Sequence, residues 1–249
     1  MRFPALLTAK LAKARVAGLL HKAHSAPLTD FLDAAEVLHS GSEHPVSHEK
    51  IRGILGSPAP ILWIGGSEPL DHPGIAHLVR AVGQSGRFVF LETSGTRLRR
   101  RIHEFQPSPQ LFLTVRIAPQ SPAAACDIPG ASAFELALEG IRAARLSGFF
   151  TVIHSSLRED SDLSQLREFS ILLSGLDVDG WLITAASAAD SALRKAAEAR
   201  KLIPNSQWRK FSIHVERDIL SVSKSCDVHD SFRSEPLPAQ SREEGIHIS

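Results

Sequence analysis

At residues 61–73 the chain reads Ile61-Leu-Trp-Ile-Gly65-Gly66-Ser67-Glu68-Pro69-Leu-Asp71-His72-Pro73. Four apolar residues are followed at once by two glycines and an acid, and the prolines after them are typical of the beginning of a helix. Glycine permits backbone angles, and a close approach of a ligand, that a β-carbon would prevent. The stretch therefore predicts a buried strand that ends in a binding loop and leads into a helix.

Strand and helix patterns alternate from residue 60 onward, and the strands are nearly continuous apolar runs. Such runs are typical of parallel strands covered on both faces, and the alternation predicts right-handed crossovers. We therefore predict an α/β fold. The pattern fits both a twisted sheet and a partial barrel and does not distinguish between them. The predicted strands are 60–65, 87–92, 111–117, 149–154, 178–184 and 211–216, and the predicted helices lie near 73–84, 96–105, 132–146, 161–174 and 188–201.

The glycine loop and the next strand resemble two motifs of the radical S-adenosylmethionine (SAM) superfamily. Gly66-Ser67-Glu68-Pro69-Leu70 is similar to the GGEP loop of that family, and Glu92-Thr93-Ser94-Gly95-Thr96 is similar to its ETNGT strand. The resemblance implies a partial (β/α) TIM-like barrel. Alternating apolar and polar residues at 211–226 predict a β-hairpin, which resembles the hairpin that closes some radical SAM core domains. The family resemblance also implies a four-iron four-sulfur cluster and a SAM site formed by Gly65, Gly66, Ser67, Glu68, Pro69, Thr93 and Ser94.

The cysteines depart from the family pattern. Radical SAM proteins hold the cluster with a CxxxCxxC motif that precedes the glycine loop by one strand and a crossover helix. This chain has two cysteines, Cys126 and Cys226, and both follow the loop. Because the motif is absent, we expect no metal site, and we expect the first strand and the cluster loop to be missing or degenerate. Without a cluster no electron reaches the SAM sulfonium, so we expect no radical reaction. The expected function is that of a SAM-binding or partner-binding pseudoenzyme.

Polar residues at the ends of the predicted strands support an alternative function. Ligands of parallel α/β folds collect at the carboxyl ends of the strands. Glu92, Arg116 and His154 lie there and are candidate catalytic groups, because a guanidinium grips carboxylates and an imidazole exchanges protons near neutral pH. The candidate positions also include His154–Ser156 and Thr184–Ser187. One alternative function is a cluster-free α/β-barrel enzyme, of the lyase or isomerase type, and the other is a membrane-surface interaction protein.

Each of these residues also has a purely structural interpretation. Glu68 would then fix the conformation of its own loop. Arg116 would form a salt bridge with Glu92 on the adjacent strand, and His154 would only make structural hydrogen bonds.

The predicted domain organisation has three parts. Residues 1–45 are predicted to form basic amphipathic helices, one over 3–22 and one over Leu28–Leu38. Residues 46–226 would form the partial barrel, and residues 227–249 a disordered tail. The first helix either packs on the body or contacts an anionic membrane surface through residues 1–22.

Composition narrows the classes of partner and the compartment. The 28 basic and 27 acidic residues nearly balance, which argues against a nucleic-acid partner and leaves a small molecule or a protein. Two cysteines, and the lack of a run of eighteen apolar residues, indicate a reduced, cytoplasmic protein.

Overall fold

The computed structural model describes residues 1–20, 28–34, 48–118 and 132–230. Its strands form one parallel six-stranded sheet, in which the order in space is the order in the chain. Because this order never reverses, right-handed crossovers place the helices on one side, and the sheet curls into a half-barrel. The predicted α/β, partial TIM-like fold is confirmed. The strands are β1 (Thr29–Asp33), β2 (Ile61–Gly65), β3 (Phe88–Thr93), β4 (Leu111–Arg116), β5 (Phe150–Leu157) and β6 (Gly180–Ala185).

Helices fall close to the predicted positions between the strands. Their amphipathic spacing buries one face against the sheet, and Ser132 and Glu135 form a reciprocal capping box at the start of α5. The helices are α1 (Ala5–Leu20), α2 (His48–Gly56), α3 (Ile75–Gln84), α4 (Leu98–Arg101), α5 (Ala133–Leu146), α6 (Leu163–Gly175), α7 (Asp190–Ala199) and α8 (Ser206–Asp230).

The first strand is present, so the helix predicted over Leu28–Leu38 is wrong where it overlaps β1. Thr29 pairs with Ile61 and Asp33 pairs with Gly65, in parallel register. A five-residue segment with two aspartates carries no clear period of its own, and its pairing with β2 decides its conformation. The rest of that predicted helix, and the loop in which a cluster motif would lie, fall on residues 35–47, outside the described residues.

A ladder of aromatic rings fills the concave face of the sheet. Phe31, Trp63, Phe90, Phe112 and Phe150 are register neighbours, one on each strand from β1 to β5. The rings of Trp63 and Phe90 stack at 5.4 Å, those of Phe90 and Phe112 at 4.5 Å, and those of Phe112 and Phe150 at 5.4 Å. The ladder therefore closes the lower part of the lumen and leaves the carboxyl ends of the strands open above it.

The hairpin predicted at 211–226 is wrong, because this segment belongs to helix α8. Its buried residues Trp208, Phe211 and Val215 recur at helical spacing and pack on the concave face, where the Phe211 ring lies 5.4 Å from that of Phe90. The sequence from Phe211 also alternates apolar and polar residues, so both periods fit and the tertiary contacts decide. Residues 227–230 of the predicted tail continue α8, and 231–249 lie outside the described residues.

Side chains of helix α8 also accept hydrogen bonds from backbone N–H groups along the outer edge of β6. The Ile183 N–H donates to Ser212 Oγ at 3.3 Å, and the Ala185 N–H donates to the Glu216 carboxylate at 2.6 Å. Glu216 is held in turn by the buried guanidinium of Arg200. Side chains of one helix thus replace the strand that would continue the sheet, and these N–H groups of the edge strand are paired.

The same helix reaches the opposite edge of the sheet. The carboxylate of Asp218 accepts hydrogen bonds from the N–H and hydroxyl groups of Thr29 on β1. Burial raises the pKa of Asp218 above its ordinary value, against the lowering effects of Thr29 and of nearby Arg217. Helix α8 therefore links the first and last strands across the open side of the half-barrel.

Helix α1 packs on the body through its apolar stripe. Leu7 and Leu11 are buried, and the Phe3 ring, just before the helix, lies 4.7 Å from the ring of Trp208. Lys10 Nζ donates a hydrogen bond to the Gly86 carbonyl at 2.9 Å. Membrane contact through residues 1–22 stays a prediction. Within the described ranges, no helix combines the length and the apolar character needed to cross a bilayer.

Candidate functional site

A cavity of about 270 Å³ opens at the carboxyl ends of the strands, above the aromatic ladder. Its floor includes Phe31 and Trp63, and Ile219 of α8 forms part of its wall. Ligand sites of barrel folds lie at this end, because the strand ends and the loops that follow them converge there. The polar side chains that line the cavity are Asp33, Glu92, Arg116, His154, Ser156 and Thr184.

Strand register explains why these side chains meet. Glu92 lies two residues after Phe90 on β3, so both side chains point into the lumen. Arg116 on β4 pairs with His154 on β5, and Ser156 on β5 pairs with Thr184 on β6. The predicted catalytic residues Glu92, Arg116 and His154 therefore do line one cavity, although their roles remain predictions.

Glu92 and His154 form a buried pair, with 8% and 5% of their surfaces exposed. Oε1 of Glu92 lies 2.6 Å from Nδ1 of His154, and Trp63 Nε1 donates to Oε2 at 3.1 Å. Burial alone would raise the pKa of Glu92, but the electrostatic interaction and the hydrogen bond with His154 oppose it. With the Trp63 bond and the charge of Arg116, these hold the pKa of Glu92 below its ordinary value.

The other nitrogen of His154 contacts a hydroxyl group. Nε2 of His154 lies 2.9 Å from Oγ1 of Thr184, whose surface is 1% exposed. Carboxylate, imidazole and hydroxyl thus form a continuous hydrogen-bonded chain from β3 through β5 to β6. Such a chain can pass a proton from the hydroxyl to the imidazole while the carboxylate stabilises the resulting charge.

Arg116 contributes a positive charge to the rim of the cavity. Its side chain is exposed, and it lies beside His154 in the register of the sheet. The ion pair of Glu92 is made with His154, while Arg116 acts on Glu92 through its charge. An exposed guanidinium at a cavity mouth is suited to hold a carboxylate or phosphate group of a ligand.

Glu68 has the structural role that the sequence left open. Its Oε1 accepts hydrogen bonds from the Leu70 N–H at 3.2 Å and the Thr93 hydroxyl at 2.6 Å, and its Oε2 accepts from the Ser94 N–H at 2.8 Å. The carboxylate therefore ties the glycine loop to the end of β3. Glu68, Pro69, Thr93 and Ser94 hold the loop in place and are not among the residues that line the cavity.

The two glycines of the loop do line the cavity, next to Asp33 of β1. The Asp33 carboxylate accepts hydrogen bonds from the N–H group of Ser67, at 3.3 Å, and from its hydroxyl. Gly66 has φ of 77°, and a β-carbon there would overlap the Asp33 carboxylate. Sequence reasoning missed Asp33 because its segment was predicted as a helix. Strand pairing is the signal that identifies it, and that pairing is not local.

The donor set does not fit a cluster held by three thiolates. Both cysteines of the chain follow the glycine loop, and residues 34–47, which follow β1, contain no cysteine. In the part of the chain that the structure describes, no three His, Cys, Asp or Glu side chains are grouped so as to hold a metal ion.

Comparisons with known proteins give similarities of fold. No family model matches the chain, and no curated protein matches it. The crystal structure of archaeal TYW1 is 19% identical with a TM-score of 0.43, over 62% of this chain and 53% of that one. A structure of TYW1 with a lysine–pyruvate adduct bound is 16% identical with a TM-score of 0.45, over 64% and 53%. The chain thus spans about half the length of these two proteins.

Proposed function

We propose that this protein is a radical SAM-like half-barrel that binds a small ligand with an amino-acid group, such as SAM, at the cavity mouth, without radical chemistry. The observation that carries the proposal is the distribution of charge in one cavity. Asp33 lies on β1 and Arg116 on β4, and the two glycines lie on the wall next to Asp33. Both side chains line the same cavity, so their opposite charges face one ligand site. An amino-acid group offers an ammonium to the Asp33 side and a carboxylate to Arg116.

The residues present fit the amino-acid end of such a ligand. Gly65 and Gly66 line the cavity and present backbone groups to a ligand, and Arg116 supplies a donor for a carboxylate. Small-molecule sites begin at about 300 Å³, so the cavity holds part of the ligand and the remainder extends into the open mouth. SAM supplies a positively charged sulfonium when it is bound. The resemblance of the glycine loop and of the Glu92-Thr-Ser-Gly segment to the radical SAM motifs supports SAM as the first ligand to test.

The proposal that the chain lacks radical chemistry is based on the number and positions of its cysteines. A chain that binds SAM without cluster thiolates acts by occupying or presenting the ligand, or by contacting a partner protein. The low cysteine content supports a reducing, cytoplasmic setting.

Calorimetric titration with SAM and with S-adenosylhomocysteine tests the proposal. We expect saturable binding by the wild-type chain and an affinity at least about tenfold weaker for Arg116→Gln, since hydrogen bonds to charged groups contribute about 1.5–3 kcal/mol. Arg100→Gln is the matched control, because Arg100 is exposed on α4 and does not line the cavity. Absence of heat with both ligands, for a folded protein, would refute the proposal.

The buried Glu92–His154 pair favours a second candidate function, a cluster-free lyase or isomerase. Such an enzyme would hold a substrate carboxylate on Arg116 and move a proton through His154. Incubation of small carboxylic acids in D₂O, followed by NMR, detects exchange of the hydrogen next to the carboxylate. We expect exchange by the wild-type chain and none by His154→Asn. Equal exchange by both chains would remove this candidate.

A further inference from the structure

Glu92, His154 and Thr184 are arranged in the order carboxylate, imidazole, hydroxyl. The two links are 2.6 Å, from Glu92 Oε1 to His154 Nδ1, and 2.9 Å, from His154 Nε2 to Thr184 Oγ1. The carboxylate contacts one imidazole nitrogen and the hydroxyl contacts the other. Hydrolases that use a carboxylate, a histidine and a hydroxyl nucleophile share this geometry on unrelated folds, in several chain orders.

Packing alone does not account for the three side chains. All three are more than nine-tenths buried, and burying an ionisable pair stabilises a fold no better than apolar residues of similar volume. The neighbouring rows of the lumen are filled by aromatic rings, so apolar residues suit this interior. A buried carboxylate with a lowered pKa that lines a cavity, as Glu92 does, is typical of functional sites.

From this geometry we infer that Thr184 is a nucleophile for acyl transfer, activated by His154 and oriented through Glu92. This activity goes beyond the proposed ligand binding and does not depend on SAM. The substrate class is a small ester or thioester that carries an anionic group, because Arg116 lies at the mouth of the same cavity.

The surroundings of Thr184 suit this reaction. Ala185 and Ala186 follow it and line the cavity, and neither carries a bulky side chain that would block an acyl group. Ser156, the register neighbour of Thr184, and Arg116, the register neighbour of His154, also line the cavity. Their hydroxyl and guanidinium groups are candidate donors to the oxygen that becomes negative in the tetrahedral intermediate.

The proposed reaction begins with attack by the Thr184 hydroxyl on the acyl carbon. Thr184 Oγ1 forms a bond to the acyl carbon, and its proton passes to Nε2 of His154. The bond from the acyl carbon to the leaving oxygen or sulfur then breaks, and His154 returns the proton to the leaving group. The product is an ester on Thr184, which water hydrolyses by the same route, with His154 as the base.

The test uses 4-nitrophenyl acetate and its anionic counterpart, 4-nitrophenyl hydrogen succinate, with the full-length chain. We expect a burst of about one nitrophenolate per chain, and peptide mass spectrometry should place the acyl group on Thr184. Thr184→Val and Glu92→Gln should lower the burst rate by about 100-fold or more, whereas Thr184→Ser keeps the hydroxyl and should keep the burst. Arg116→Gln should remove the preference for the succinate ester.

The inference is overturned if the folded wild-type chain gives no burst, or if the acyl group lies elsewhere and forms equally fast in Thr184→Val. Circular dichroism shows whether Thr184→Val is folded, and the site of acylation in the wild-type chain decides the question if it is not. SAM titration of the folded wild-type chain separates the two proposals, because ligand binding and the acyl burst are measured independently.

Discussion

Gly65 and Glu92 lie on adjacent strands, and Oε2 of Glu92 is 2.7 Å from the position that a β-carbon on Gly65 would occupy. The absence of a side chain at residue 65 therefore makes room for the buried Glu92 carboxylate. That carboxylate also accepts the Trp63 indole hydrogen and contacts His154. A single β-carbon at residue 65 would disturb three side chains of the site.

Gly65→Ala should therefore destabilise the protein by about 1–3 kcal/mol, the usual cost of overpacking a filled interior. The displaced Glu92 should release Trp63, so we also expect a change in tryptophan fluorescence of the folded state. Urea unfolding followed by fluorescence measures both effects.

Gly53→Ala on α2 is the matched control. A β-carbon at Gly53 meets no atom within 4 Å, and alanine favours helix, so this change should be neutral or stabilising by up to about 1 kcal/mol. Equal losses in the two variants would contradict the close approach at Gly65.

Much of the fold is predictable from the sequence because strands β2 to β6 are apolar runs between amphipathic helices. The two errors lie at the ends of the sheet, at Thr29–Asp33 and at α8. β1 is a short edge strand with polar residues, and its pairing partner is about thirty residues away. In α8 two periods fit the sequence, and packing on Phe90 and Gly180 selects the helix.

The sequence predicts those site residues that directly follow the apolar run of a strand. Glu92, Arg116 and His154 follow apolar runs, and strand register then brings them to one cavity. The sequence predicts Thr184 only as the first residue of the range Thr184–Ser187. Its contact with His154 joins two strands whose contacting residues are 30 positions apart, so no local pattern reveals it. The role of Glu68 depends on Thr93 and Ser94, about 25 residues later, so local sequence left it open.

Glu216→Ala should destabilise the protein by about 3–5 kcal/mol. Glu216 pairs with Arg200, both are buried, and it also accepts the Ala185 N–H of the edge strand. Its removal would leave a buried guanidinium and a backbone donor without their partner. Thermal or urea unfolding measures the loss. Glu198→Ala, at an exposed position on α7, should cost less than about 0.5 kcal/mol, and a similar cost at both positions would contradict this role of α8.

Glu92→Gln should make the free energy of unfolding depend less on pH in the acid range. The folded state holds the pKa of Glu92 below its ordinary value near 4.5, so the carboxylate stabilises the fold above that pH. This contribution is lost as the pH falls below about 4.5 and through the lowered pKa. The free energy of unfolding between about pH 5 and 3 should therefore fall less steeply for Glu92→Gln than for wild type. Equal slopes would show that Glu92 is not the carboxyl group responsible.

Asp218→Asn should change the pH dependence of stability in the opposite direction from Glu92→Gln. Burial raises the pKa of Asp218, so the folded state favours the neutral acid, whose stabilisation is complete below the ordinary value of 3.8 and is lost as the pH rises through the raised pKa. Asparagine is neutral at every pH and keeps an oxygen that can accept from Thr29. The variant should therefore be more stable than wild type at pH 7, and the difference should vanish at about pH 3. Urea unfolding at both pH values measures it. Lower stability of the variant at pH 7 would mean that the charged carboxylate gains more from Thr29 and Arg217 than it loses by burial.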